Sequence, residues 1–113
     1  MTQTNAVSQV AQLIQQVSQA QQQLESYNQT AVDELVTAVA WALVNPENNK
    51  MLSELAVAET GLGNVADKIT TNHRKTLGLL RDLKDAKTVG VISRDPEPSL
   101  IEIARSVDVV SAI

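Results

Sequence analysis

Residues 30–61 read TAVDELVTAVAWALVNPENNKMLSELAVAETG. Val32, Leu35, Val36, Val39, Ala40 and Leu43 recur at i, i+3, i+4, i+7, i+8 and i+11, the spacing of one helix face. Thr30 stands where a capping residue is expected, with Asp33 three residues on as an acidic variant of the capping box. Trp41 falls off the centre of the stripe and is expected at the edge of the core, a partner-facing position being the alternative. Asn45-Pro46 ends this helix and opens the next, because the residue before proline leaves the helical region and proline suits a first turn. Met51, Leu52, Leu55 and Ala56 supply an apolar face for the new helix, and Gly61 fits its C-terminal cap. Two consecutive helices meeting at a proline are thus expected.

Outward toward the N-terminus, Val7, Val10, Ile14, Val17 and Leu24 keep a 3-4 heptad spacing that only Gln21 interrupts. Leu13 and Ala20 widen the stripe, and the rest of the cylinder is Gln and Ser. The face is expected to pack on its own domain, with a self-associating seam as the alternative. Outward toward the C-terminus, Asn64 can cap a fourth helix carrying Val65, Ile69, His73, Leu77, Leu80 and Leu83 on one side. Gly61-Leu62-Gly63 lacks GxGxxG spacing and follows a helix, so a helix cap is expected and a phosphate loop is not. Beyond Thr88 the composition changes. Val89, Val91 and Ile92 form a β-rich run, Asp95-Pro96-Glu97-Pro98 a turn, and Leu100 to Ala104 a returning run, together a β-hairpin. Val107 to Ile113 is a third apolar run, expected as a terminal strand that needs a partner. The fold class is α+β, with a helical region at 1–87 and a hairpin and terminal strand at 88–113. These are expected to form one folding unit without a complete Rossmann or catalytic domain.

Composition narrows function. The chain has 113 residues, 43% hydrophobic and 19% charged, enough for one domain with a core of its own. Aromatic residues make up 2%, so the core is aliphatic. There is no cysteine and one histidine, which excludes disulfides, thiolate zinc sites, cysteine nucleophiles and multi-histidine metal sites. A net charge of −4 argues against a general nucleic-acid binder. The first ionisable side chain is Glu25, and residues 1–24 hold nine of the ten glutamines, which is neither a signal nor a transit peptide. No run approaches a membrane span, so a cytoplasmic protein is expected. Asn28-Gln29-Thr30 matches the glycosylation triplet without a secretory signal to support it. Between Lys68 and Lys87 stand six basic and two acidic residues. Lys68, Arg74, Lys75, Arg81, Lys84 and Lys87 read as a solvated face, with anion binding as the alternative. His73 stands in no Ser-His-Asp or paired-carboxylate arrangement. No residue is put forward as catalytic, cofactor-binding or metal-binding.

Residues 56–91, AVAETGLGNVADKITTNHRKTLGLLRDLKDAKTVGV, carry a resemblance. Ala58-Glu59-Thr60-Gly61, Gly63, Asp67-Lys68, Asn72-His73 and Lys87-Thr88-Val89-Gly90-Val91 occur in order. Asp33-Glu34-Leu35-Val36 upstream and Ile101-Glu102-Ile103-Ala104-Arg105 downstream also fit. The sequence resembles the N-terminal part of the coenzyme A-acylating aldehyde dehydrogenases, the acylating sulfoacetaldehyde dehydrogenases above all. That resemblance implies a parent that oxidises a small aldehyde to an acyl-coenzyme A with NAD(P), by cysteine attack, hydride transfer and thioester exchange. It also implies that Val107–Ile113 matches the first dinucleotide-binding strand. The catalytic cysteine and most of the NAD(P) and coenzyme A sites would lie beyond it. Where the family carries Pro and Gly near that strand, this chain has Ser106 and Asp108. In the family the N-terminal helices pack on the cofactor domain and the hairpin joins the oligomerisation region. The chain is therefore expected to be a non-catalytic fragment, binding no cofactor itself. Its expected partner is a second copy in a dimer, or the remainder of an aldehyde dehydrogenase. Nucleic acid and membrane are not expected partners. A free-standing helical interaction protein and a small-anion-binding module are the alternatives.

Overall fold

The structure is a computed structural model that describes residues 2–97 and 99–111, with side chains from Asn5 onward. Its elements are α1 (Thr2–Leu24), α2 (Gln29–Val44), α3 (Pro46–Thr60), α4 (Val65–Leu83), β1 (Gly90–Asp95) and β2 (Leu100–Ala104). The four helices and the hairpin agree with the α+β reading. Two compact units divide the chain. Residues 1–32 cluster with 87–113, and residues 33–86 form the other unit.

The helix ends follow from their capping residues, with one correction. Asn28, and not Thr30, caps α2: its Oδ1 accepts the Ala31 amide at 2.9 Å. Thr30 lies two residues inside, in the first turn, since the Asn28 side-chain oxygen already satisfies the orphan Ala31 amide. Asn45 caps α3 by accepting the Glu47 amide at 3.1 Å, and Pro46 occupies the first turn. Gly61 closes α3 in the left-handed region at φ 65°, its amide donating to the Val57 carbonyl at 2.8 Å. Asn64 caps α4 through the Asp67 amide at 2.9 Å, and its own Nδ2 donates back to the Asp67 carboxylate.

In the unit of residues 33–86, α3 crosses α4 through small polar side chains. Asn49 and Ser53 are fully enclosed. The apolar face expected on α3 points the other way: Met51 and Leu55 are more than half exposed, and Leu52 is exposed as well. Small residues at the crossing let two helix backbones approach, so the larger side chains are left outside. Of the α2 stripe only Ala40, with Val44 next to it, is buried, while Val39 is 63% exposed. Trp41 is 64% exposed and does not cover a core edge.

In the unit of residues 1–32 and 87–113, β1 and β2 pair antiparallel. The register runs Gly90↔Ala104, Val91↔Ile103, then Ser93↔Glu102, which leaves Ile92 as a bulge. Asp95 Oδ1 accepts the Glu97 amide at 3.1 Å and starts the turn. Pro98, expected in that turn, lies outside the described residues. The expected terminal strand is not formed over Val107 to Ser111: among the described residues the sheet has two strands, β1 and β2, and neither offers this run a ladder. Ala112 and Ile113 lie outside the described residues.

The chain does not build the aliphatic core that its composition suggests. Ala40 and Val44 are the only hydrophobic residues among the described ones to be buried. The α1 stripe is open along its length: Val7 is 71% exposed and Leu13 59%.

Candidate functional site

The 33–86 unit holds a hydrogen-bonded cluster at the α3–α4 crossing. Asn49 Nδ2 donates to the Ile69 carbonyl at 3.0 Å. Asn49 Oδ1 accepts from Asn72 Nδ2 at 2.9 Å and from the Ser53 hydroxyl at 3.3 Å. Asn72 Nδ2 also reaches Ser53 Oγ at 3.3 Å. These groups satisfy one another, so the cluster reads as a positioning device for two helices. The sequence reading did not find it. Its signal was Asn49 and Ser53 four residues apart on one helix facing Asn72 on another, a pattern that hydrophobic periodicity passes over.

Beside it a groove of about 320 Å³ is lined by Val44, Pro46, Ile69, His73 and Arg74 among others, with no carboxylate in its lining. The lining thus brings no carboxylate beside His73 to orient it as a base. The basic residues of α4 do not converge. Arg81 pairs with Asp82 at 3.0 Å, Lys84 borders a separate cavity with Asp33, and Lys68 lies half-buried against Gly63. Among the described residues no group of three His, Asp or Glu side chains is placed to hold a metal.

The unit of residues 1–32 and 87–113 holds the larger cleft, about 480 Å³, bounded by Leu24, Tyr27, Val32, Val89, Arg105 and Val107. Two glutamine contacts fix its walls. Gln29 Oε1 accepts the amides of Thr88 at 2.7 Å and Val89 at 3.1 Å, and its Nε2 donates to Thr88 Oγ1 at 2.9 Å. One side chain thereby acts as the strand partner that the run before β1 lacks. Gln21 Nε2 donates to Ser106 Oγ at 2.9 Å and ties the chain after β2 to α1. Glu25, Asp108 and Arg105 all border the cleft, so its charges are mixed and no single-sign ligand is selected. The Gln29 clamp was also missed, because nothing in spacing marks an amide that bonds 59 residues away.

The geometry is that of a scaffold with polar joints and uncovered apolar faces. No protein-family model matches the chain. The chain is 53% identical over 108 residues to an acylating sulfoacetaldehyde dehydrogenase of Cupriavidus necator, covering 96% of this chain and 22% of that one. It is 38% identical over 109 residues to an acetylating succinate-semialdehyde dehydrogenase of Clostridium kluyveri, covering 96% and 23%. Among solved structures it superposes on an acetylating aldehyde dehydrogenase from Geobacillus thermoglucosidasius with a TM-score of 0.72 at 35% identity, covering 82% of this chain and 20% of that one. The resemblance to the acylating aldehyde dehydrogenases thus extends along nearly the whole chain. The chain spans about a fifth of the length of these relatives. No helix among the described residues is long and apolar enough to cross a membrane.

Proposed function

We propose that this chain is a non-catalytic, scaffold-forming segment equivalent to the N-terminal part of a coenzyme A-acylating aldehyde dehydrogenase. The parent reaction converts an aldehyde, coenzyme A and NAD(P) to an acyl-coenzyme A and NAD(P)H. The observation that carries the reading is the 53% identity covering 96% of this chain but 22% of an acylating dehydrogenase. The chemistry of the chain supports it. Passing an acyl group from an aldehyde to coenzyme A needs a thiolate nucleophile, and the 113 residues contain no cysteine. A dinucleotide site needs a strand, a glycine turn and a helix N-terminus aimed at the pyrophosphate. The glycine pair at Gly61 and Gly63 instead joins the end of one helix to the cap of the next.

The uncovered apolar faces support a partner role. That partner is a second copy in a dimer or the remainder of a dehydrogenase. A free-standing helical interaction protein is the second reading, favoured by the same exposed faces. Calorimetric titration of the purified chain with NAD and with coenzyme A tests the first reading, which expects no saturable heat. A dissociation constant below about 100 μM for either would contradict it. A constant mass on dilution, equal to one chain, would contradict the dimer.

A further inference from the structure

Over residues 6–20 the helix α1 divides into two kinds of position, with Ser18 the one polar residue on the seam side. Over residues 6–20, the heptad positions that form a seam and its flanks are Ala6, Val7, Val10, Ala11, Leu13, Ile14, Val17, Ser18 and Ala20. The outward positions Ser8, Gln9, Gln12, Gln15, Gln16 and Gln19 are all Gln or Ser. The seam ends where Gln21, at the next core position, is taken up by Ser106 at 2.9 Å. The seam is bare: Val7 71%, Val10 55%, Leu13 59%, Ile14 54% and Val17 38% exposed.

We propose that α1 pairs antiparallel with the α1 of a second copy of this chain, seam against seam, centred near Ile14. This rests on the reading that the chain associates with itself, and names the surface and orientation. Three observations select this occupant. The five seam side chains expose roughly 450 Å² per copy, so two copies together offer an area close to the roughly 1,000 Å² that a stable interface requires. Ala6, Ala11, Ser18 and Ala20 beside the seam keep its margins low, so two helix backbones can approach closely. Charge then selects the direction. The helix has no acidic residue in its first turn and no basic residue in its last, so its macrodipole is uncompensated, and Glu25 follows its negative end. A parallel pair would bring both negative ends and both Glu25 carboxylates together. An antiparallel pair sets each negative end beside a positive one. On the hairpin Val91, Ile101 and Ile103 share one face with the charged Arg94, and Ser93 and Glu102 stand on the other, so its apolar patch is shorter than the α1 seam and is interrupted by a charge.

The chain has no cysteine, so single cysteine variants report geometry without background. Mass is measured by light scattering at micromolar concentration for the unaltered chain, for I14D and for I103D on the hairpin. Far-UV circular dichroism of each checks that α2 to α4 remain folded. The expected result is a dimer of the 12.2 kDa chain for the unaltered protein and for I103D, and dimerisation weakened roughly tenfold or more for I14D. Oxidative cross-linking then reads direction. V10C mixed with V17C, and I14C alone, are expected to cross-link, while V7C alone is not. An unaltered chain of single mass overturns both self-association and this pairing. A dimer that survives I14D but is lost in I103D overturns the α1 surface alone. Cross-linking of V7C with itself, with none between V10C and V17C, overturns the antiparallel orientation.

Discussion

Asn49 is the residue on which the α3–α4 crossing turns. It is almost fully enclosed, donating to one backbone carbonyl and accepting from two side chains. Replacing it with alanine removes the bond to the Ile69 carbonyl and leaves the Asn72 amide only its longer bond to Ser53 Oγ, in a region largely shielded from water. The expected loss is about 2 kcal/mol, read as a lower urea midpoint in far-UV circular dichroism. Asn48 is the internal control. It also donates to a carbonyl, that of Ala42 at 2.8 Å, but from an exposed position. Asn48→Ala is therefore expected to cost under about 1 kcal/mol, because water replaces the bond. Equal losses in the two variants would remove the structural role assigned to the cluster. Gln29 makes a different prediction. Its Oε1 holds the Thr88 and Val89 amides, so Gln29→Ala is expected to speed hydrogen exchange at those two amides while leaving the α4 amides unchanged. Unchanged exchange at Thr88 and Val89 would show that the clamp does not order the approach to the hairpin.

Elements were legible wherever a local rule sets them. Asn45-Pro46, Gly61 and Asn64 each mark a helix end through a backbone requirement, and each stands where the sequence reading put it. Gly61 carries a measurable consequence. At φ 65° a side chain strains the backbone even though open space surrounds the Cα. Gly61→Ala is expected to cost about 1 kcal/mol in the same urea titration, and no shift would mean that the α3 end relaxes freely. The α2 start was misplaced by two residues because Asn28 and Thr30 are both capping types, and only the bond to Ala31 separates them. The α3 face was misread for a deeper reason. Periodicity assumes that the apolar side is the packed side, whereas α3 meets α4 through Asn49 and Ser53 and turns Met51 and Leu55 outward. The polar joints of the candidate site were illegible because each depends on residues brought together across 20 or more positions.

At the scale of the molecule, the apolar residues were read correctly as helix faces, but the chain does not cover them. Twelve large hydrophobic residues with exposures above half, from Val7 on α1 to Ile103 on β2, would be interior positions in a chain that closed its own core. The chain spans about a fifth of the length of the relatives it matches, and the proposed partner role accounts for the open faces. The central claim is that such a segment scaffolds and does not catalyse. It is tested most directly by incubating the purified chain with short-chain aldehydes or sulfoacetaldehyde, NAD(P) and coenzyme A, and following NAD(P)H and thioester together. The account predicts no formation of either above a protein-free blank. Aldehyde- and coenzyme A-dependent production of both, in proportion to the amount of chain added, would contradict it.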